Sequence, residues 1–184
     1  MKNKFYILIF LFLFIRPLTA ENLSIEAKNI TLDKKNETSI FQNEVLIITE
    51  NKNQIRSDYA EYNKKTRIIN LQNKIEAIDV NGNKIKTERA EYNEASKVFK
   101  SFGGTEITTE NGYLISSRDI ILDNEKNFIK SNKKTIIIDQ DNNKIDLENF
   151  EYNTNNNIFK SVGFIKIEDS KGNNYEFSQI YIDT

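Results

Sequence analysis

The sequence predicts an all-β domain: an antiparallel array of about eleven strands, each bent near its middle, forming one folded sheet. Three observations predict it. The chain repeats itself every 30 residues, each repeat carries two strand signals and two turn signals, and apolar alternation slips part-way along the strands. Residues 21–184 hold this domain, and residues 1–20 read as a separate leader.

Blocks opening at Ser24, Gln54, Lys84, Leu114, Lys144 and Asn174 align without gaps. They begin SIEAKNITLD, QIRSDYAEYN, KIKTERAEYN, LISSRDIILD, KIDLENFEYN and NYEFSQIYID. The second position holds Ile25, Ile55, Ile85, Ile115, Ile145 and Tyr175, and the tenth is always Asp or Asn. The ninth holds Leu32, Tyr62, Tyr92, Leu122, Tyr152 and Ile182. Biased composition does not produce three columns that hold six times.

Each block's first strand ends at the tenth position, where Asp or Asn can bond its own backbone and open a turn. Polar runs such as Lys34-Lys35-Asn36 and Lys64-Lys65-Thr66 follow. A second strand, rich in β-branched and aromatic residues, covers 67–80, 97–109, 127–139 and 157–168. It closes on Asn81-Gly82, Asn111-Gly112, Asp141-Asn142-Asn143 or Lys171-Gly172-Asn173, which is hairpin-turn chemistry. Turns at this spacing let successive strands run up and down. A proline inside a strand would remove a ladder donor, and the one proline, Pro17, precedes the domain.

The seventh and ninth positions share one parity and the second has the other. The first strand of each block must therefore change face at a bulge or bend. Repeated along the array, such bends build a long trough with an inside and an outside. At ~4.8 Å per strand, eleven strands span about 50 Å. The last block stops at Thr184 before its second strand, so a longer parent chain is expected.

Lys2 and Lys4 precede an apolar run from Phe5 to Ile15, and Ala20 stands before Glu21, the pattern of a cleaved secretory signal peptide. The run is shorter than the roughly 20 residues that span a bilayer. Beyond it, 23 basic residues face 27 acidic ones, which gives no basic footprint for nucleic acid. Cysteine and histidine are absent, so disulfides, thiolate or imidazole metal sites and Ser-His-Asp triads are excluded. Glu61, Glu91 and Glu151 form a column that reads as a solvated outer face. Gly103-Gly104 sits between strand residues, unlike a phosphate loop, and Asp139 to Asn143 reads as a turn and not a calcium loop. No catalytic residue, metal ligand or cofactor is expected.

The continuous apolar columns admit two readings, a filled core or a groove with room for a lipid. A buried methylene is worth ~0.8 kcal/mol, so a dozen-carbon acyl chain costs roughly 10 kcal/mol to leave in water. Even rungs without one deep pocket would let such a chain slide. The groove candidates are Ile25, Ile55, Ile85, Ile115 and Ile145, with Val45, Ile75, Ile107, Ile137 and Ile167 opposite. A sealed structural or adhesive β-solenoid, with blocks stacked in parallel, is the competing class.

The segments IRSDYAEYNKKTRIINLQNKIEAI and IKTERAEYNEASKVFKSFGGTEIT carry a resemblance to the OstA-like family of lipopolysaccharide transport proteins. It extends over residues 22–184. The resemblance implies a twisted antiparallel β-jelly-roll open at both ends, with acyl chains inside and the sugar head in water. It implies further that members join edge to edge by strand addition. The chain most resembles the N-terminal periplasmic domain of the outer-membrane translocon, the LptD type, with a stand-alone LptA-like bridge protein as the alternative. On that resemblance the partners are lipopolysaccharide, an LptA-like bridge protein and an LptE-like outer-membrane lipoprotein. The docking edge is the first strand, with Ile25, Ile30 and Leu32, and the location is the periplasm and outer membrane.

Overall fold

The computed structural model describes residues 23–156 and 158–183; the signal-peptide reading of residues 1–20 lies outside them. Sixteen strand segments make one sheet in which every pairing is antiparallel. They are β1 (Ser24–Glu26), β2 (Asn29–Asp33), β3 (Thr38–Ile48), β4 (Gln54–Asn63), β5 (Ile68–Ile78), β6 (Lys84–Asn93), β7 (Val98–Ser101) and β8 (Gly104–Thr108). They continue as β9 (Leu114–Arg118), β10 (Ile121–Asp123), β11 (Phe128–Ser131), β12 (Thr135–Ile138), β13 (Lys144–Leu147), β14 (Phe150–Asn153), β15 (Ile158–Glu168) and β16 (Asn174–Asp183). Five consecutive pairs, β1–β2, β7–β8, β9–β10, β11–β12 and β13–β14, are halves of one strand interrupted at its middle, so the sixteen segments are the eleven expected strands. Up-and-down antiparallel pairing rules out the parallel-stacked solenoid.

The slip in alternation takes two physical forms. In β3 and β5 it is a bulge: Asn43-Glu44 and Asn73-Lys74 each place two residues opposite one, with φ of 64° and 54°, then 65° and 49°. In β15 the bulge follows Val162, and Gly163 takes φ 115°. Between β6 and β15 the ladder breaks instead. Here the sheet divides into a far limb (β7, β10, β11, β14) and a near limb (β8, β9, β12, β13), both limbs being joined through β6 and β15. The halves of β3–β6, β15 and β16 continue these limbs, β1 belongs to the near limb and β2 to the far one.

A broken ladder leaves backbone groups without strand partners, and small buried hydroxyls take their place. Ser131 Oγ donates to Arg118 O at 2.6 Å, Ser161 Oγ to Asn149 O at 2.6 Å, and Thr135 Oγ1 to Lys133 O at 2.9 Å. Ser101 Oγ accepts from the Ile120 N–H at 2.9 Å and from Thr105 Oγ1 at 2.7 Å. Buried polar groups are costly only when unpaired, which is why serine and threonine can occupy an interior column. The alternating apolar residues of both limbs meet in a single core cluster.

The turns follow the repeat. Asp79, Asp139 and Asp169 each accept the backbone N–H groups two and four residues on and the side-chain amide of the later Asn. The expected turn at Asp139 is therefore present. Hydrogen bonds to the charged form hold the carboxyl of Asp169 below its usual range; at Asp139 burial pushes the other way and the same bonds outweigh it.

Candidate lipid groove and docking edges

Strand register assembles the isoleucines into one line. Ile25, Ile47, Ile55, Ala77, Ile85, Ile107, Ile115, Ile137, Ile145, Ile167 and Tyr175 are successive cross-strand partners, one from each of the eleven strands. This is the near rung. Leu32, Ser39, Tyr62, Ile69, Tyr92, Phe99, Leu122, Ile129, Tyr152, Phe159 and Ile182 form the matching far rung on the other limb.

Eight of the ten groove candidates stand on the near rung. The other two, Val45 and Ile75, lie one step closer to the bend, opposite Ser57 and Thr87, and Ile47 and Ala77 hold the rung positions. All are the same parity, so alternation puts both sets on the inner face, but only the turn at 49–53 fixes which pairs with Ile55. Sequence reasoning missed the far rung as a single line because its residue types vary.

The trough expected to leave room for a lipid is closed in this structure. Ile47, Ile69, Ile75, Leu71 and Ile165 are fully buried, since the limbs pack on each other. Towards the ends burial relaxes: Ile25, Ile145, Ile167 and Phe159 are half-buried and Tyr175 and Ile182 exposed. An open cleft of about 640 Å³ lies at the bend among Lys74, Glu76, Lys86, Glu88 and Glu106, with Thr87, Thr105 and Ser117 at its floor. Its charged walls suit neither an acyl chain nor the usual apolar ligand pocket.

The edges are two. Among the described residues β1 and β2 pair only with β3, and β16 only with β15. Of the docking-edge candidates, Ile30 and Leu32 are exposed and Ile25 half-buried, all facing inward beside the bare edge. The Lys28 N–H donates to Asn43 O. The Lys64 N–H donates to Glu37 O, so at a period of two Ser39 and Phe41 face β4 while Thr38, Ile40 and Gln42 face β2. Asn29, Thr31 and Asp33 thus bond β3, and the N–H groups of Ile30 and Leu32 are left for a partner.

Ionic groups gather at the mouth, a feature that local sequence patterns do not reveal. Glu94, in the turn between β6 and β7, accepts from Tyr62 Oη at 2.7 Å and Arg67 at 3.1 Å. Burial pushes its carboxyl up, but these bonds and the nearby Lys97 charge outweigh that and hold it below the usual glutamate range. Lys97 makes an ion pair with Glu50 of the turn between β3 and β4. Tyr92 is pushed up to about 12 by burial, with the Glu94 and Glu50 charges adding to it.

A profile of the family described as lipopolysaccharide-assembly, LptC-related, matches residues 20–118, just over half of the sequence. The chain belongs to the LptC-related family. That family implies a non-enzymatic role in the lipopolysaccharide transport bridge, with lipopolysaccharide and bridge components as partners and a periplasmic or envelope-associated location. Among solved structures, LptH, the LptA-homologous periplasmic component of the lipopolysaccharide transport device of Pseudomonas aeruginosa, is 10% identical. The alignment covers 85% of this chain and 94% of LptH, with a TM-score of 0.31. The TCP10 domain of Danio rerio CPAP, bound to a STIL peptide, is also 10% identical over 88% of this chain and 99% of that one, with a TM-score of 0.16. Those TM-scores are too low for either likeness to bear on function. No curated protein matches the LptC-related chain in sequence.

Proposed function

We propose that this LptC-related chain is a lipid-conduit segment of the lipopolysaccharide bridge: acyl chains run between the limbs along the two rungs while the sugar head stays in water. The near rung carries the proposal, because it crosses all eleven strands and reaches both bare edges. A chain moving along it would exchange contacts with Ile, Ala and Tyr side chains at every step and meet no dead-end pocket. Transport then requires the limbs to part, since the interior is packed. A photo-crosslinking amino acid at half-buried Ile115 should capture lipopolysaccharide, whereas one at outward-facing Glu91 should not. Equal capture at both positions would refute the groove.

The exposed first and last strands support edge-to-edge addition of a neighbouring bridge protein, of LptA-like kind at β1–β2, by the ladder hydrogen bonds they leave unused. Ile30→Pro should abolish that association and spare the fold, because its N–H faces away from β3. Unchanged co-purification with the bridge protein would refute the docking edge. Of the two memberships suggested by the sequence, the family match favours a bridge component over the N-terminal domain of LptD. Stable co-purification with an LptE-like outer-membrane lipoprotein would reverse that preference. The leader and the periplasmic location of the domain complete the proposal, and N-terminal sequencing of the exported protein tests cleavage after Ala20.

A further inference from the structure

Glu50 and Lys97 stand at opposite ends of the strands. The turn at 49–53 tips the near limb, beyond Ile48, and the turn at 93–97 tips the far limb, beyond Asn93. A ten-residue strand laid straight would hold such tips roughly 33 Å apart, far more than a lysine and a glutamate can bridge. Their ion pair therefore spans the mouth of the folded sheet. Other ion pairs, such as Lys84–Glu76 and Lys160–Glu151, join neighbours within one limb.

The pair is unequal in its surroundings. The Lys97 side chain is 18% exposed and lies beside the Glu94 carboxylate, which Tyr62 and Arg67 hold in place. The Glu50 side chain is 50% exposed on a surface turn. If the tips separate, Glu50 passes to water and Lys97 keeps Glu94 as a counter-charge, so neither charge is stranded. The rims also differ in sign. Near-limb turns at 49–53, 79–83, 109–113, 139–143 and 169–173 carry six acidic and two basic residues. Far-limb turns at 33–37, 63–67, 93–97, 123–127 and 153–157 carry seven basic and five acidic. Opposite rims attract across the mouth, weakly enough for salt to screen. The hydroxyl of Tyr92, on the far rung, feels the charges of both Glu94 and Glu50.

We propose that Glu50 and Lys97 form a latch that closes the mouth of the groove over the third block and opens to let an acyl chain pass between the rims. The latch rests on the conduit reading and adds to it a controlled lateral opening. It follows that lipid loads from the side, through the mouth, as well as from the ends.

The chain has no cysteine of its own, so Glu50→Cys with Lys97→Cys introduces two unique thiols. The double variant, carrying the photo-crosslinker at Ile115, is either bridged with a short bismaleimide or capped with N-ethylmaleimide, then mixed with purified lipopolysaccharide. The capped protein should capture lipopolysaccharide as well as the unmodified one, and the bridged protein at least tenfold less. Equal capture by bridged and capped protein would overturn the latch and leave the conduit standing. Absence of capture by the Ile115 photo-crosslinker protein in its cysteine-free, capped and bridged forms alike would overturn both. Glu50→Lys, a surface change, sets like charges face to face and should raise the initial rate of capture several-fold. An unchanged rate would overturn the latch independently of the thiol pair.

Discussion

The four strands β3–β6 and the eight half-strands β7–β14 solve the same problem differently. Both must turn a corner at mid-strand while keeping apolar residues inside. Among β3–β6 the bulges lie in β3 and β5, so the pairings β3–β4, β4–β5 and β5–β6 run from tip to tip, and each bulge costs two residues at positive φ. The half-strands give up the ladder at Phe102-Gly103, Asp119-Ile120 and residues 132–134 and 148–149, and rely on buried side chains to hold the limbs together. A continuous ladder resists opening along its whole length, whereas a broken one concentrates resistance in a few contacts. The middle of the domain is therefore the region where the limbs part most easily.

That contrast is breakable. The largest effect is expected at Ile120, fully buried at a break. Ile120→Ala should cost about 2–5 kcal/mol, read as a lower denaturant midpoint. Loss under about 1 kcal/mol would mean the break contributes little to stability. Next comes a pair of hydroxyl deletions. Ser101→Ala leaves the buried Ile120 N–H and the Thr105 hydroxyl without this partner and should cost ~1–3 kcal/mol. Ser57→Ala, whose hydroxyl only donates to Tyr59 O beside a bulge, should cost ~1 kcal/mol. Equal losses would erase the distinction between bulged and broken corners.

Glu94 sits where the two regions join. Its carboxyl is held below the ordinary value of 4.5, so its stabilisation is present above that value and fades as pH falls through the depressed one. The stability gap between wild type and Glu94→Gln should be full at pH 7 and close below pH 4.5. A gap independent of pH in acid titration would remove the charge from the account. The smallest effect is a gain: Lys74→Gly relieves a left-handed residue in the β5 bulge and should change stability by less than ~1 kcal/mol, upward. Gly163→Ala in the β15 bulge has the opposite sign, because φ is 115° and an added Cβ would stand 2.6 Å from Glu148 Oε2.

Much of this architecture was written locally in the residues. Asp or Asn at every tenth position, the turn glycines and the parity change between Ile55 and Ala60 are short-range signals, and each led to the element found. The strand number followed from turn spacing. What the sequence left open depends on which residues face each other across strands. Val45 and Ile47 have the same parity, so either satisfies alternation, and the hairpin at 49–53 chooses Ile47. Closure of the trough and the Glu50–Lys97 pair were out of reach for another reason. They join positions far apart in the chain, and only the doubling of the sheet brings them together.

The constant 30-residue register of rungs and turns makes the length of the domain a quantised property. Inserting or deleting one whole block would change it by two strands, about 10 Å, and leave both rungs and both kinds of corner intact. A single-residue insertion within a strand would instead turn every later side chain of that strand inside out. Selection on such a molecule can lengthen or shorten its reach only in whole blocks, like a ruler cut at its marks.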